Sequence, residues 1–156
     1  MKRLLKTLVH ISFLIYLYLL FEILLNRPLG YNTPFELYIK YSVNLIPFKT
    51  IFEYFVVALN GSFGVYTAIE NLSANLLVFM PMGVYLPYFF KNNLSLKQCS
   101  KLLFGIVLFV EVIQLVLRNG NFDIDDIILN VLGGMIGYLI FKSEFIQKIY
   151  NRLFVE

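Results

Sequence analysis

Hydrophobic and polar positions fall in long blocks along this chain rather than in short alternation. Four runs are almost wholly apolar: Leu4 to Leu25, Leu72 to Phe90, Leu102 to Leu117 and Ile127 to Phe141. The second is free of charge between Glu70 and Lys91, the third is interrupted only by Glu111, and the fourth is bounded by Asp126 and Lys142. A helix crosses the hydrocarbon core of a bilayer with about 20 mostly apolar residues, so each run predicts a transmembrane helix. The last two are short, and cross only with their polar ends buried in protein or with local thinning of the bilayer. Between the first two runs, residues 26–70 are only moderately polar. There Ile51, Phe52, Phe55, Val56 and Leu59 recur on one helical face, opposite Glu53 and Asn60, which predicts a short helix lying in the interface or re-entering the bundle. Asn60-Gly61-Ser62 and Gly64 supply a turn after it. Asn92-Asn93 and Ser95, between the second and third runs, suit a turn and a helix cap. The expected fold is all-α: a polytopic membrane helical bundle of about four transmembrane helices plus the short outer helix, in a single membrane domain spanning 1–156.

Composition agrees with this pattern. Charged residues make up 15% of the chain and hydrophobic residues 59%, against about 25% charged in an average soluble domain. A water-soluble fold of 156 residues has too little interior to hide that much apolar surface. Lys2, Arg3 and Lys6 lead into the first run as the basic start of a signal peptide would. The run is longer than a signal core, however, and ends in Asn26-Arg27-Pro28 without a small-x-small cleavage site, so it is expected to be a retained span. Cys99 is the single cysteine, which excludes an intramolecular disulfide and a cysteine-rich metal site. No basic patch interleaved with exposed aromatics points to a nucleic-acid partner, and no pattern calls for a cofactor.

Lysine and arginine set the expected orientation. With the N-terminus inside, the cytoplasmic side receives Lys2, Arg3, Lys6, Lys91, Lys97, Lys101, Lys142, Lys148 and Arg152, and the outer side Arg27, Lys40, Lys49 and Arg118. Nine against four places both termini in the cytoplasm. The intramembrane polar residues then fall into stripes. Asn71 and Asn75 lie one turn apart in the second span; Glu111, Gln114 and Arg118 follow at i, i+3 and i+7 in the third; Asp126 and Asn130 share a face with Gly133, Gly134 and Gly137 in the fourth. All three stripes lie near the outer ends of their helices. Glu111 sits roughly 10 Å deeper than Arg118 at 1.5 Å rise per residue.

A charge in a span costs at least ~2.5 kcal/mol unless it finds a partner or water. The stripes therefore predict a polar pocket at the outer face, with Asn75, Glu111, Gln114, Arg118, Asp126 and Asn130 as candidate ligand-binding residues. Arg118 and Asp126 are placed to meet across the short outer loop, and Gln114 to link Arg118 with Glu111. Glu111, the deepest charge, is the one desolvation penalises most. Glu111 and Asp126 are the candidate catalytic acid/base pair. Asn and Gln also join membrane helices without further function, and small-xxx-small spacing at Gly133 and Gly137 suits close packing. Asp123, Asp125 and Asp126 have the hard oxygens of a divalent-cation site, but a solvated cap at a positive helix N-terminus is the preferred reading. His10 is the only histidine and is expected to pack or make a helix contact. Glu22 is free to snorkel to the interface.

The same residues carry a resemblance. Asn44-Leu45-Ile46-Pro47-Phe48, Asn71-Leu72-Ser73-Ala74-Asn75, Phe79-Met80-Pro81-Met82-Gly83 and Leu86-Pro87 resemble signatures of the VanZ-like family. So do Glu111-Val112-Ile113-Gln114, Arg118, Asp125-Asp126-Ile127-Ile128-Leu129-Asn130 and Gly133 to Gly137. The blocks follow the family's order over roughly residues 40 to 140. The resemblance implies a multi-pass protein of the bacterial plasma membrane, in a family whose founding members are associated with resistance to teicoplanin, a lipid-tailed glycopeptide antibiotic. Three functions follow as alternatives: a resistance factor whose partners are membrane lipid and either the lipoglycopeptide or the lipid-linked cell-wall precursor, a membrane-embedded enzyme acting on a lipid or such a precursor, and a small carrier. The polar residues do not continue inward, which weighs against the carrier.

Overall fold

The computed structural model describes residues 2–26, 34–59 and 64–155. Four helices are long and apolar enough to cross a membrane: α1 (Lys2–Leu25), the joined pair α4 (Val65–Val78) and α5 (Met80–Phe89), α6 (Leu96–Leu117) and α7 (Ile124–Lys142). Before the pair lie α2 (Phe35–Ser42), a two-residue strand β1 (Val43–Asn44) and α3 (Lys49–Leu59). A second two-residue strand, β2 (Phe122–Asp123), leads into α7, and α8 (Glu144–Tyr150) with a π-helical turn (Asn151–Val155) follows it. The molecule is an all-α membrane bundle.

Helix boundaries depart from the apolar runs in one direction. The second span begins at Val65, the third at Leu96 and the fourth at Ile124, each upstream of its apolar core. The third and fourth helices, with 22 and 19 residues, are thus long enough to cross without thinning the bilayer. Their extra turns are polar, and they form because caps and tertiary partners satisfy them. For α6 the device is a capping box: Ser95 Oγ accepts from Gln98 N–H and the Gln98 side chain accepts from Ser95 N–H. Lys91 and Asn92 form the preceding turn at φ 52° and 64°. In the outer segment α3 is the expected short amphipathic helix, leaving Phe52, Phe55 and Leu59 exposed; α2 was not legible in the pattern. The Asn60-Gly61-Ser62 turn and Arg27 lie outside the described residues.

The second span is interrupted at Phe79, two residues before Pro81, which has no N–H to continue the helical ladder. The interruption draws in α1: the Tyr16 hydroxyl donates to Val78 O at 3.0 Å. Neighbouring side chains commonly satisfy backbone exposed by proline within a bilayer.

At the centre of the bundle, α7 packs against α4, α5 and α6. The approach is backbone to backbone. A Cβ on Gly133 would lie 1.8 Å from Leu76 O, and one on Gly137 1.9 Å from Met80 O. In lipid, where helices gain nothing from hiding apolar surface, such contact supplies the dispersion energy that holds spans together. Phe79, Leu103 and Val107 complete the buried core beside it. Outward faces carry apolar side chains, among them Phe104, Phe109 and Val116 of α6 and Leu132 and Leu139 of α7.

Gly133→Ala is expected to lower stability by about 3 kcal/mol, the upper end of the usual range for overpacking, because the new methyl meets backbone that has no rotamer to change. Gly105→Ala, where no atom of the described residues lies within 4 Å of the added atom, is expected to gain about 0.5–1 kcal/mol from helix propensity. Thermal unfolding of both variants in the same detergent checks this. Equal midpoints would show that α7 does not need the close approach.

A polar clamp and an acceptor-lined cavity at one end of the bundle

Where α1 ends and α7 begins, polar residues from five elements meet. The short strands β1 and β2 pair in parallel, Val43 opposite Phe122 and Asn44 opposite Asp123. Asp123 is the N-cap of α7, its side chain accepting from Asp125 N–H at 2.8 Å. The same carboxylate accepts from Thr50 Oγ1 at 2.6 Å and from Asn44 Nδ2 at 3.2–3.3 Å. Asp125 is completely buried. Its oxygens accept from the backbone N–H groups of Phe48 (2.5 Å), Thr50 (2.8 Å) and Ile51 (3.2 Å). These groups include orphan donors of the first turn of α3, and presenting them places Phe48 at φ 65°. Glu111 of α6 reaches the same knot, its Oε2 3.5 Å from Asp123 N.

The Asp123 and Asp125 carboxylates are thus taken up by backbone and side-chain donors. The expected cap is present, but its acids are buried, contrary to the expected solvated cap. Asp126 turns the other way and accepts from Asn75 Nδ2 in a short hydrogen bond. The three aspartates of the candidate cation set therefore do not aim at one point.

Beneath the clamp lies a cavity of about 40 Å³ lined by Asn75, Glu111, Gln114, Asp126 and Asn130, with Phe79 and Val107 among its apolar walls. Five of the six residues singled out in the sequence thus share one wall, contributed by α4, α6 and α7. A cavity needs roughly 10–15 Å³ to hold a water, so this one has room for about two or three waters or one small polar group. Asn130 is buried. Its Nδ2 donates to Asp126 O at 2.8 Å, which fixes the amide's orientation and leaves Oδ1 with no hydrogen-bond partner among the described residues. Leaving a buried acceptor unpaired costs about 1–3 kcal/mol.

Gln114 and the polar residues outside the cavity make further contacts that the sequence did not predict. Gln114 Nε2 donates to Leu24 O (2.8 Å) and Asn119 Nδ2 to Leu25 O (2.7 Å), so these amides satisfy the final carbonyls of α1. The Gln114 donor is thereby engaged by α1. Arg118 is the left-handed C-cap of α6, its guanidinium 5.0 Å from the centre of the Phe35 ring, and it does not line the cavity. Asn71 donates to the Tyr54 hydroxyl and joins α4 to α3. Sequence reasoning missed Thr50, and it undervalued Asn44 and Asp125. The available signal was the pairing of Asn44-to-Phe48 with Asp125-Asp126 as two halves of one motif.

Fold and site together define a polytopic membrane protein with a buried polar chamber at one end of its bundle. The model of the VanZ/LLP1 family matches residues 13–147, and the chain belongs to that family. Comparison with curated proteins gave no match, and comparison with solved structures gave none.

Asp125→Ala is expected to destabilise the protein by roughly 3 kcal/mol or more, since three N–H groups lose a charged acceptor and stay buried. The local signature is faster amide exchange at Phe48, Thr50 and Ile51 than in the wild type. Unchanged protection there would mean that the clamp does not hold α3.

Proposed function

We propose that this VanZ/LLP1-family protein acts at the outer face of a bacterial plasma membrane as a lipoglycopeptide (teicoplanin) resistance factor, its termini cytoplasmic. Nine of thirteen basic residues lie at the end opposite the chamber, which supports that orientation. The observation that carries the site is the unpaired Asn130 Oδ1 in a wall already rich in carboxylate oxygens. Such a wall recognises a donor: a hydroxyl, an amide N–H or an ammonium. Its size admits only the tip of a larger molecule, with the rest held in the outer leaflet or above it. A lipoglycopeptide and a lipid-linked cell-wall precursor both present hydroxyl and amide donors beside a lipid chain.

A membrane-embedded enzyme acting on a lipid or lipid-linked precursor is the second reading, favoured by one observation. Glu111 and Asp126 line the same cavity in different surroundings, which suits an acid/base pair. Loss of a lipid species in a Glu111→Gln strain, relative to wild type at equal expression, would select it.

The first test is teicoplanin susceptibility of a sensitive Gram-positive host expressing wild type, Glu111→Gln or Asn130→Leu. Asn130→Leu removes an acceptor that no described residue uses and one bond to the Asp126 carbonyl within the same helix, so membrane level is expected to hold and thermal stability to change little while resistance falls to that of the empty vector. No resistance from the wild type would defeat the proposal. For orientation, a cysteine at Glu36 in a Cys99→Ser background is expected to react with an impermeant maleimide in intact cells, and one at Lys97 only after lysis. The opposite pattern would invert the topology.

A further inference from the structure

At the other end of the bundle, a cavity of about 600 Å³ opens between the start of α1, the turn after α5 and the π-helical turn. Its polar lining among the described residues is basic or neutral: Lys6, His10, Lys91 and Asn93 take part, and no described lining residue is acidic. His10 Nδ1 lies 2.6 Å from Lys6 O. A carbonyl only accepts, so Nδ1 carries the proton and Nε2 is the ring's other polar atom. The turn bearing Lys91 is held firmly, because Asn92 is tied to Lys142 Nζ and to Gln147. Lys91 and Asn92 keep left-handed backbone conformations that cost free energy in non-glycine residues.

Beside this basic cavity runs a separate apolar groove of about 260 Å³, walled by Val9, Val84, Ile146 and Ile149 among others. Tyr88, Tyr150 and Phe154 line both spaces and pack edge to face or tilted, with ring centroids 5.3–6.1 Å apart. A cationic chamber of headgroup size at the end of a bundle therefore adjoins an apolar channel through a shared aromatic wall.

We propose that this pair of spaces binds one anionic phospholipid, its phosphate held by Lys6 and Lys91 and an acyl chain in the groove beyond Tyr88. Charge complementarity selects an anion over a zwitterion, and the adjoining groove selects a lipid over a free phosphate ester. Basic side chains at a membrane surface each contribute enough to change anionic-lipid affinity several-fold. The site is independent of the polar chamber at the opposite end.

Native mass spectrometry of the purified full chain, titrated with dioleoyl-phosphatidylglycerol or dioleoyl-phosphatidylcholine, tests this. One phosphatidylglycerol is expected to be retained in preference to phosphatidylcholine. Lys6→Gln and Lys91→Asn, the latter keeping a residue suited to positive φ, are each expected to weaken retention roughly fivefold. Lys101→Gln, outside the cavity, is expected to leave it unchanged. Equal retention of the two lipids, or an equal loss in Lys101→Gln, would overturn the site. Competition by glycerol 3-phosphate as effective as that by the lipid would overturn the lipid assignment in favour of a soluble phosphate ester.

Discussion

The burial of Asp125 against the start of α3 is the contact on which the chamber end of this protein depends. Two helices, α3 and α7, bring their N-termini to the same place, and each contributes unsatisfied N–H groups and a partial positive charge. Both ends are packed against buried carboxylates, not water. Asp123 and Asp125 resolve both ends at once, one capping α7 and holding Thr50 and Asn44, the other taking three N–H groups of the chain entering α3. Because both acids sit at the first turn of α7, the segment before the second span is fixed relative to the centre of the bundle. Glu111 joins from α6 through Asp123 N–H.

The chamber exists because the helices below this knot are held at two different separations. Glycines bring α7 into backbone contact with α4 and α5 at Leu76 and Met80. Toward the clamp, Asn75, Asp126 and Asn130 stand where the small residues end, and their side chains line the gap. Phe79 and Val107 line the apolar side of that gap.

The bundle is also polarised from end to end. Glu22, Glu36, Glu53, Glu70, Glu111, Asp123, Asp125 and Asp126, eight of the ten acidic residues, belong to the chamber end, and the lysines of the α1 start and the α5–α6 turn belong to the other. An acceptor-rich chamber and a basic, aromatic-walled cavity are thus separated by the thickness of the bundle. The asymmetry gives the two ends of the bundle opposite electrostatic character.

The number of spans, their order and the convergence of Asn75, Glu111, Asp126 and Asn130 at one depth were legible in the sequence. They follow from local rules: apolar length, helical periodicity and the alternating direction of successive spans. Helix starts were less legible, because the turns before the apolar cores depend on the Ser95 and Asp123 caps and on distant partners such as Tyr54, which hydropathy does not register. Only the tertiary structure decided what each polar residue does. Asp125 and Asp126 are neighbours in sequence, yet one is consumed by α3 and the other faces the chamber, because successive side chains on a helix point about 100° apart. Gln114 and Arg118 lie on the same stripe as Glu111, but α1 claims the Gln114 donor and the Phe35 ring lies beneath Arg118. A stripe specifies which way a side chain points. Which neighbour it meets depends on where the other helices end, and that is a property of the packed bundle.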